Sequence, residues 1–479
     1  MPALALAGAR LVVIPLVPLT GAVLAYLSVT AMAGLGGGVM TWFSALSVLS
    51  AIVVTWRWWR HPDSRLWIRD KDRAPARTLC AIALGAGLTV GAFGLSILKA
   101  PWTGFDARAI WMLHPEWYVQ GHAVTVATLR NPALAFSNPS YPPLVGGSVA
   151  LSWILSGDET DRLGVVMVGL LNAFAILAAA SSMVELARRL ASSTDGDKRR
   201  RLVILGVGVA TAVVLMVVVF RVGFPFVANG YADVLWSTAA VGAVAYGLVL
   251  PCQSANMGAA LILAAVAGAT KLEGSYTAIV IVGLITARAL FHDRAKGRFQ
   301  HWRARLTAGI ATWFVIGAWP SVARILGAIP DKPNAGRRVG DDLARLHVSL
   351  AGSWSEMHLL GVAVPVAVLG VLCLSGARRK AALGHDGWAW SALITELAIV
   401  TAAYVVGPGD IATWVRHSID RTTMFPVLEA WWLTATWGII AVSEIRLVRG
   451  HDSSDREWSP SPGVLPTQGG PSTLPPVLC

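Results

Sequence analysis

Charged residues are scarce in this chain. Asp, Glu, Lys and Arg make up only 14% of its 479 residues, whereas hydrophobic residues make up 55% and the mean hydropathy is +0.60. In an ordinary soluble domain about 25% of the residues are charged, so this composition indicates a chain that is surrounded by lipid. Because open strands would leave amide groups unpaired in lipid, the long apolar runs predict an all-α, polytopic transmembrane helical bundle.

Cysteine is also scarce, and a nucleotide-binding loop is missing. The sequence GLGGG at residues 34–38 lies between two apolar runs, without the strand and the acidic residue of a dinucleotide site. The four cysteines fall at or near the face that we assign to the cytoplasm, where thiols stay reduced, and they imply no disulfide or metal framework. They are Cys80, Cys252, Cys373 and Cys479.

Basic residues outnumber acidic ones and give a net charge of +12, but they occur in clusters between apolar runs and not as one stripe. Nucleic acid is therefore not an expected partner. About twelve spans with both termini in the cytoplasm place most of the 39 Lys and Arg residues inside, as the positive-inside rule requires. We predict these spans near residues 10–33, 38–56, 78–98, 163–187, 202–220, 231–250, 256–270, 274–290, 306–327, 357–375, 388–406 and 423–445.

Three regions follow from this topology. Residues 1–76 contain two N-terminal transmembrane helices and a basic cytoplasmic loop, and residues 77–446 form the main transmembrane domain. Residues 447–479 are rich in Pro, Ser and Gly and predict a disordered cytoplasmic tail.

The segment from Lys99 to Arg162 is predicted to be one long extracytoplasmic loop that carries juxtamembrane helices. Its apolar run Leu144 to Leu155 is too short to cross, so we expect a helix on the outer surface. If that run crossed the membrane, the basic cluster from Arg188 to Arg201 would be forced outside. Loops of this length usually carry function.

Candidate site residues concentrate in this first outer loop. Asp106 and Arg108 follow a membrane exit, and Trp111 and His114 come directly after them, whereas Tyr141 precedes two prolines near the end of the loop. The tryptophans also suit an interfacial aromatic belt, and a loop acid is more often solvated than catalytic. The assignment of Asp106 therefore depends on its surroundings.

The other outer segments carry charges at the ends of spans. Asp233 lies near an outer helix mouth, where an acid must line a cavity or pair with a cation. Lys271 and Glu273 interrupt an apolar run; they either mark a simple hairpin tip or face a vestibule, where a lysine can hold a phosphate. Arg421, just ahead of the last span, is a second candidate for phosphate contact. Further cations form either a lid or a solvated surface: Arg337, Arg338 and Arg345.

These residue types suit sugar transfer from a polyprenyl-phosphate donor. The leaving group is a stable phosphate anion, so one carboxylate to accept a proton and cations to hold the phosphate are sufficient. Asp106 is the candidate base, and Lys271, Arg421 and Arg108 are the candidate phosphate ligands. A divalent ion could be held by Asp106 and Asp233, and no other cofactor is expected. The predicted substrate pocket contains Trp111, His114, Tyr141, Asp233 and Glu273.

Several short elements occur in a characteristic order. They are an acid after a membrane exit (Asp106), Tyr141 before two prolines, the Gly157, Glu159 and Arg162 element, Gly-Tyr-Ala-Asp at residues 230–233 and Thr-Lys-x-x-Gly at residues 270–274. In these elements the chain resembles the GT-C class of integral membrane glycosyltransferases, in particular the bacterial protein O-mannosyltransferase and lipid A aminoarabinose transferase families.

The resemblance implies that Asp106 is the catalytic base, that Lys271 contacts the lipid phosphate and that the first loop lies on the outer face. The implied partners are a polyprenyl-phosphate-linked sugar, an acceptor in the cell envelope and the lipid bilayer, and the implied location is the plasma membrane. His114 stands where many relatives have a lysine, and the two helices before residue 77 depart from the simplest pattern. A transporter or lipid flippase, and a non-catalytic assembly protein of the same fold, remain as alternatives.

Overall fold

Every described element of the chain is helical. The computed structural model describes residues 13–60, 104–192, 198–223, 226, 229–295, 302–329, 342–357, 360–373, 376–407 and 410–454. The predicted span 78–98 lies outside them, and so do Arg337, Arg338, Cys80 and Cys479. The two described cysteines, Cys252 and Cys373, are free. The all-α prediction is thus confirmed for the described residues.

Sixteen α-helices follow one another along these residues. They are α1 (Val13–Leu35), α2 (Val39–Arg60), α3 (Leu113–Val119), α4 (His122–Leu129), α5 (Leu144–Ser156), α6 (Asp161–Ser192), α7 (Lys198–Gly223), α8 (Asp233–Val244), α9 (Ser254–Thr270), α10 (Leu272–Ala295), α11 (Trp302–Ile325), α12 (Asp342–Glu356), α13 (Leu360–Leu372), α14 (Gly376–Val406), α15 (Ile411–Thr422) and α16 (Met424–Ser454). Two π-helical segments, Ala107–Met112 and Ala245–Val249, and a 3-10 helix, Pro132–Ser137, complete the described elements.

Seven described helices are long and apolar enough to cross a membrane, which makes the chain a membrane protein. They are α1, α2, α6, α7, α10, α11 and the part of α14 from Gly387 to Val406. Three apolar helical segments are shorter, namely Leu144–Ser156, Asp233–Val249 and Ser254–Thr270. The total of twelve spans and the cytoplasmic position of both termini remain predictions.

Small residues allow α6, α8, α9 and α10 to pack closely. A Cβ atom added to Gly242 in α8 would lie 2.9 Å from the Leu263 side chain, and one added to Gly247 would lie 2.4 Å from that of Ile285. Such small residues are typical of helix contacts in membranes. By contrast, α2 exposes Val53 and α7 exposes Val217, as expected for surfaces that face lipid.

The two ends of the bundle differ in charge. At one end Arg189 contacts Gln253 at 2.9 Å and Arg305 pairs with Asp293 at 3.0 Å, close to basic clusters of the sequence. Lys271 precedes the first residue of α10, whereas Asp293 lies in its last turn, so helix geometry separates these ends by about 33 Å. The predicted site and the basic clusters are therefore at opposite ends.

The short helix α5 agrees with one prediction and corrects another. Its 13 residues extend for only about 20 Å, too short to cross a hydrocarbon core of about 30 Å. However, α5 is not a helix lying open on the protein surface, because its apolar run from Leu144 to Trp153 is mostly buried against α1, α3 and α6, and only its last turn is exposed. At Gly147 an added Cβ would lie 3.1 Å from the Ala25 carbonyl oxygen, so the two backbones touch.

The last helix extends beyond its predicted end. We placed the start of a disordered tail at residue 447, but α16 continues to Ser454. Residues 455–479 lie outside the described residues.

Candidate functional site

Asp106 and Arg421 form an ion pair across 315 residues of sequence. Asp106 directly precedes the π-helical segment Ala107–Met112, and Arg421 lies in the last turn of α15. The guanidinium Nη1 donates a hydrogen bond to Asp106 Oδ2. Their side chains are 26% and 17% exposed, so a solute can reach both charges.

Aromatic rings fix the position of the Arg421 guanidinium. Its central carbon lies 5.5 Å from the ring centre of Tyr231 and 5.9 Å from that of Phe226, which is the range of cation–π contacts. Burial, followed by the charge of Asp106, raises the pKa of Tyr231 and keeps the phenol neutral. Gly104 makes room for this ring, since a Cβ atom there would lie 2.3 Å from it.

Lys271 and Asp233 form a second ion pair, which is buried. Lys271 Nζ lies 2.8 Å from Asp233 Oδ1, and the side chains are 8% and 2% exposed. Glu273 Oε1 is 3.5 Å from the same ammonium group and its side chain is 34% exposed. Burial alone would lower the pKa of Lys271, but the charges of Asp233 and Glu273 outweigh it, so the pKa lies above its ordinary value.

The Thr-Lys-x-x-Gly element builds the turn that holds this lysine. Lys271 is extended, with φ −150° and ψ 158°, and interrupts the helical path between α9 and α10. An added Cβ at Gly274 would lie 2.3 Å from the backbone oxygen of Ala267, so only glycine permits this close hairpin. Ser275 ties the hairpin by donating a hydrogen bond to the Gly268 carbonyl at 2.6 Å. The bend is a close hairpin, but Lys271 is buried in an ion pair and does not reach the surface as it would at a simple hairpin tip.

The turn at the Gly-Tyr-Ala-Asp element also depends on a glycine. Gly230 has φ +85°, a left-handed conformation that favours glycine, and it packs near Ala107 and Val165. This turn places Tyr231 against Asp106 and makes Asp233 the first residue of α8. Asp106 and Asp233, the acids of the two ion pairs, thus come from elements that are remote in sequence.

The two ion pairs belong to one electrostatic cluster. Arg421 interacts with the charges of Asp233 and of Lys271 in addition to its partner Asp106. Burial alone would lower the pKa of Arg421, but Asp233 and Asp106 raise it above its ordinary value. We call Asp106, Arg421, Lys271, Asp233 and Glu273 the charged cluster. All five were candidates from the sequence.

The other candidate pocket residues of the first outer loop are buried and make packing or hydrogen-bond contacts within the protein. His114 is 2% exposed, its Nε2 donates to the Ser137 carbonyl at 2.9 Å and its ring centre lies 4.6 Å from that of Trp117. Burial lowers the pKa of His114 to about 4 against the hydrogen bond to Ser137, so the ring is neutral and supplies no cation. Trp111 and Tyr141 are buried with ring centres 6.0 Å apart.

Two further candidate arginines have contrasting surroundings, and phosphate contact by Arg108 remains a prediction. Arg108 is exposed, and its side chain makes no ion pair with a described residue. Arg345 is neither part of a lid nor a solvated side chain, because it is 5% exposed and donates to the carbonyls of Tyr404, Val405 and Gly407. These carbonyls end α14 and have no partner within the helix, so Arg345 caps it.

The acids of the cluster do not favour a divalent ion. Asp106 is already neutralised by Arg421, and Asp233 by Lys271. Within the described ranges, no three His, Cys, Asp or Glu side chains are arranged to hold a metal ion. A metal held by Asp106 and Asp233 would have to displace two cationic side chains.

The sequence reasoning missed four residues of this region. Tyr231 and Phe226 pack against each other, with ring centres 5.2 Å apart, and both contact Arg421; they come from loop positions that have no motif of their own except the Gly-Tyr-Ala-Asp element. Glu396 and Glu429 are buried beneath the charged cluster, inside runs that we interpreted as ordinary spans. An acid in the middle of the predicted span 388–406, and another well inside the predicted span 423–445, were the signals that could have found them.

Comparison with known protein families, curated proteins and solved structures finds no match to this chain. The resemblance to the GT-C class therefore depends on the short elements described above.

Proposed function

We propose that this chain is a membrane glycosyltransferase that moves a sugar from a polyprenyl-phosphate donor to an acceptor in the cell envelope. One observation carries the proposal: Asp106, Arg421 and Lys271 come from distant parts of the chain and meet in one charged cluster. The reaction needs one carboxylate to take a proton and cations to hold a departing phosphate. The cluster contains both kinds of group.

In this mechanism Asp106 is the general base. A donor phosphate would accept hydrogen bonds from Arg421 and so compete with the Asp106 carboxylate for the same guanidinium. The released carboxylate takes the proton of the acceptor hydroxyl, the hydroxyl oxygen bonds to the anomeric carbon, and the bond from that carbon to the phosphate oxygen breaks. The electron pair leaves with the phosphate, and displacement from the opposite face inverts the anomeric centre.

The charge distribution supports an extracytoplasmic site in the plasma membrane. Basic residues near Arg189 and Arg305 lie at the other end of the bundle from Asp106. If these basic clusters face the cytoplasm, as the positive-inside rule predicts, the charged cluster faces outward. Attaching a membrane-impermeant thiol reagent to Cys variants at exposed Arg108 and exposed Arg303 would test this orientation in intact cells.

The direct test is transfer by the purified full chain with a panel of radiolabelled polyprenyl-phosphate sugars. Asp106→Asn should abolish transfer but bind polyprenyl phosphate at least as tightly as the wild type, because asparagine no longer competes for Arg421. Glu159→Gln removes an exposed acid at the same end of the bundle and should change neither. Full transfer activity in Asp106→Asn would refute the mechanism.

One observation favours a second candidate, a transporter or lipid flippase. Glu429 is fully buried in α16, and acids inside the membrane often mark the paths of coupling ions. Movement of a lipid or solute across proteoliposomes, without transfer of sugar, would support that function. Donor binding without turnover or transport would support a non-catalytic assembly protein.

A further inference from the structure

Two glutamates lie in the apolar interior beneath the charged cluster. Glu396 in α14 is 2% exposed and Glu429 in α16 is fully buried. Their carboxyl groups are close enough for their charges to interact. Two ionised carboxylates so placed would repel each other in a medium that already disfavours one charge.

No cation among the residues that the structure describes forms an ion pair with these two glutamates. Neither oxygen of Glu429 has a hydrogen-bond partner among the residues that the structure describes, and neither glutamate forms an ion pair with them. Lys271, a described cation of the neighbouring charged cluster, is tied to Asp233 and Glu273. The charge that faces Glu396 from α10 is another acid, Glu273.

The hydroxyl group of Thr277 can serve Glu396 in either of its protonation states. Thr277 Oγ1 lies 3.0 Å from the Glu273 carbonyl oxygen and 2.6 Å from Glu396 Oε2. A hydroxyl group has one proton to donate, and a carbonyl oxygen can only accept. Thr277 therefore donates either to the Glu396 carboxylate or to the carbonyl, and in the second case its oxygen can accept a hydrogen bond from a protonated Glu396.

A second unpartnered group lies beside the pair. Trp236 is 1% exposed, its indole nitrogen has no partner among the described residues, and its ring centre is 6.3 Å from that of Phe425. Phe425 is one helical turn before Glu429. The described part of the chain has no cluster of three or more acids, histidines or cysteines that could hold a metal ion, so the arrangement favours a proton over a metal.

We propose that Glu396 and Glu429 form a proton-binding site inside the membrane, which stays protonated at neutral pH. Thr277 connects this carboxyl pair to Glu273, and Glu273 connects it to Lys271 of the charged cluster. Protonation keeps negative charge away from the side of Lys271 that faces the pair, so it favours an anionic ligand there. The proton site does not depend on the glycosyltransferase activity and would serve a transporter equally.

Infrared spectroscopy of the full chain in lipid nanodiscs tests the proposal. At neutral pH the wild type should show the carbonyl band of a protonated carboxylic acid, which shifts in deuterated water. Glu396→Gln and Glu429→Gln should each weaken the band, and the double variant should lose it. Glu159→Gln, which removes an exposed acid, is the matched control and should retain the band. Absence of the band in the wild type, or its persistence in the double variant, would overturn the proposal.

Thermal unfolding covers the case in which a variant folds poorly. Glutamine imitates the protonated acid in shape and charge, so Glu429→Gln should melt no lower than the wild type at neutral pH. Alkaline pH should lower the melting temperature of the wild type more than that of Glu429→Gln, because only the wild type must bury a new charge. A large loss of stability in Glu429→Gln at neutral pH, or a wild-type melting temperature that depends on Na⁺ or K⁺, would instead indicate an ionised pair that binds a cation.

Discussion

Replacing Asp233 by Asn tests whether the buried ion pair with Lys271 stabilises the fold. The two charged atoms are 2.8 Å apart and their side chains are 8% and 2% exposed. Removal of one partner from such a pair costs about 3–5 kcal/mol, because the other charge stays buried without compensation. Glu273 remains 3.5 Å from the ammonium group as a weaker, partly exposed partner. We therefore expect Asp233→Asn to cost about 3 kcal/mol, the lower end of that range.

A double-mutant cycle separates this pair from general damage to the site. Lys271→Met leaves Asp233 buried without its partner, whereas the double variant leaves neither charge of the buried pair. The double variant should therefore be destabilised by at least about 1 kcal/mol less than the sum of the single variants. Equilibrium unfolding in mixed detergent micelles, followed by circular dichroism, measures all four free energies. A cost for Asp233→Asn below about 0.5 kcal/mol, or strict additivity, would refute a stabilising buried pair.

Two further predictions concern residues around the cluster. The pKa of His114 is lowered to about 4 from its ordinary 6.5, so the unfolded chain binds the proton first as the pH falls, and about 3 kcal/mol of stability is lost between these two pH values. His114→Asn, which can still donate to the Ser137 carbonyl, should flatten the dependence of the melting temperature on pH in that window; an unchanged slope would contradict a neutral buried ring. Gly274→Ala should cost on the order of 2 kcal/mol because its Cβ would meet a backbone oxygen of α9 at 2.3 Å, whereas Gly258→Ala, with no atom within 4 Å, should be neutral in the same unfolding assay.

Hydropathy was sufficient to predict the helical class of the fold. The length of an apolar run can be read directly from the sequence, and a long apolar run in lipid must be helical. The same reasoning kept α5 from crossing, since 13 residues cannot span a bilayer. It could not show that α5 is buried, because an apolar helix suits both a lipid surface and a protein interior. The packing of α5 against α1, α3 and α6, with Gly147 touching the backbone of Ala25, distinguishes the two.

The residues of the charged cluster could be chosen from the sequence, but their pairing could not. Short elements such as Thr-Lys-x-x-Gly mark positions where the backbone makes a special turn, and a charge at such a turn is conspicuous. The partner of that charge is a matter of tertiary structure: Arg421 meets Asp106 across 315 residues. His114 and Arg345 show the opposite error, since polar residues in an outer loop are conspicuous even when they serve only packing or capping.

The pairing of both cations with carboxylates determines what kind of ligand this site can select. A neutral solute has no negative charge that could replace the Asp106 carboxylate beside Arg421, so it leaves the ion pair intact. A phosphate offers two or more anionic oxygens to the same guanidinium and can replace the carboxylate without leaving a cation unpaired. Lys271 is less accessible than Arg421, since its side chain is 8% exposed against 17%. The exposed pair therefore meets an incoming anion first, and in the proposed mechanism the exchange that binds the anion frees the Asp106 carboxylate to act as the base.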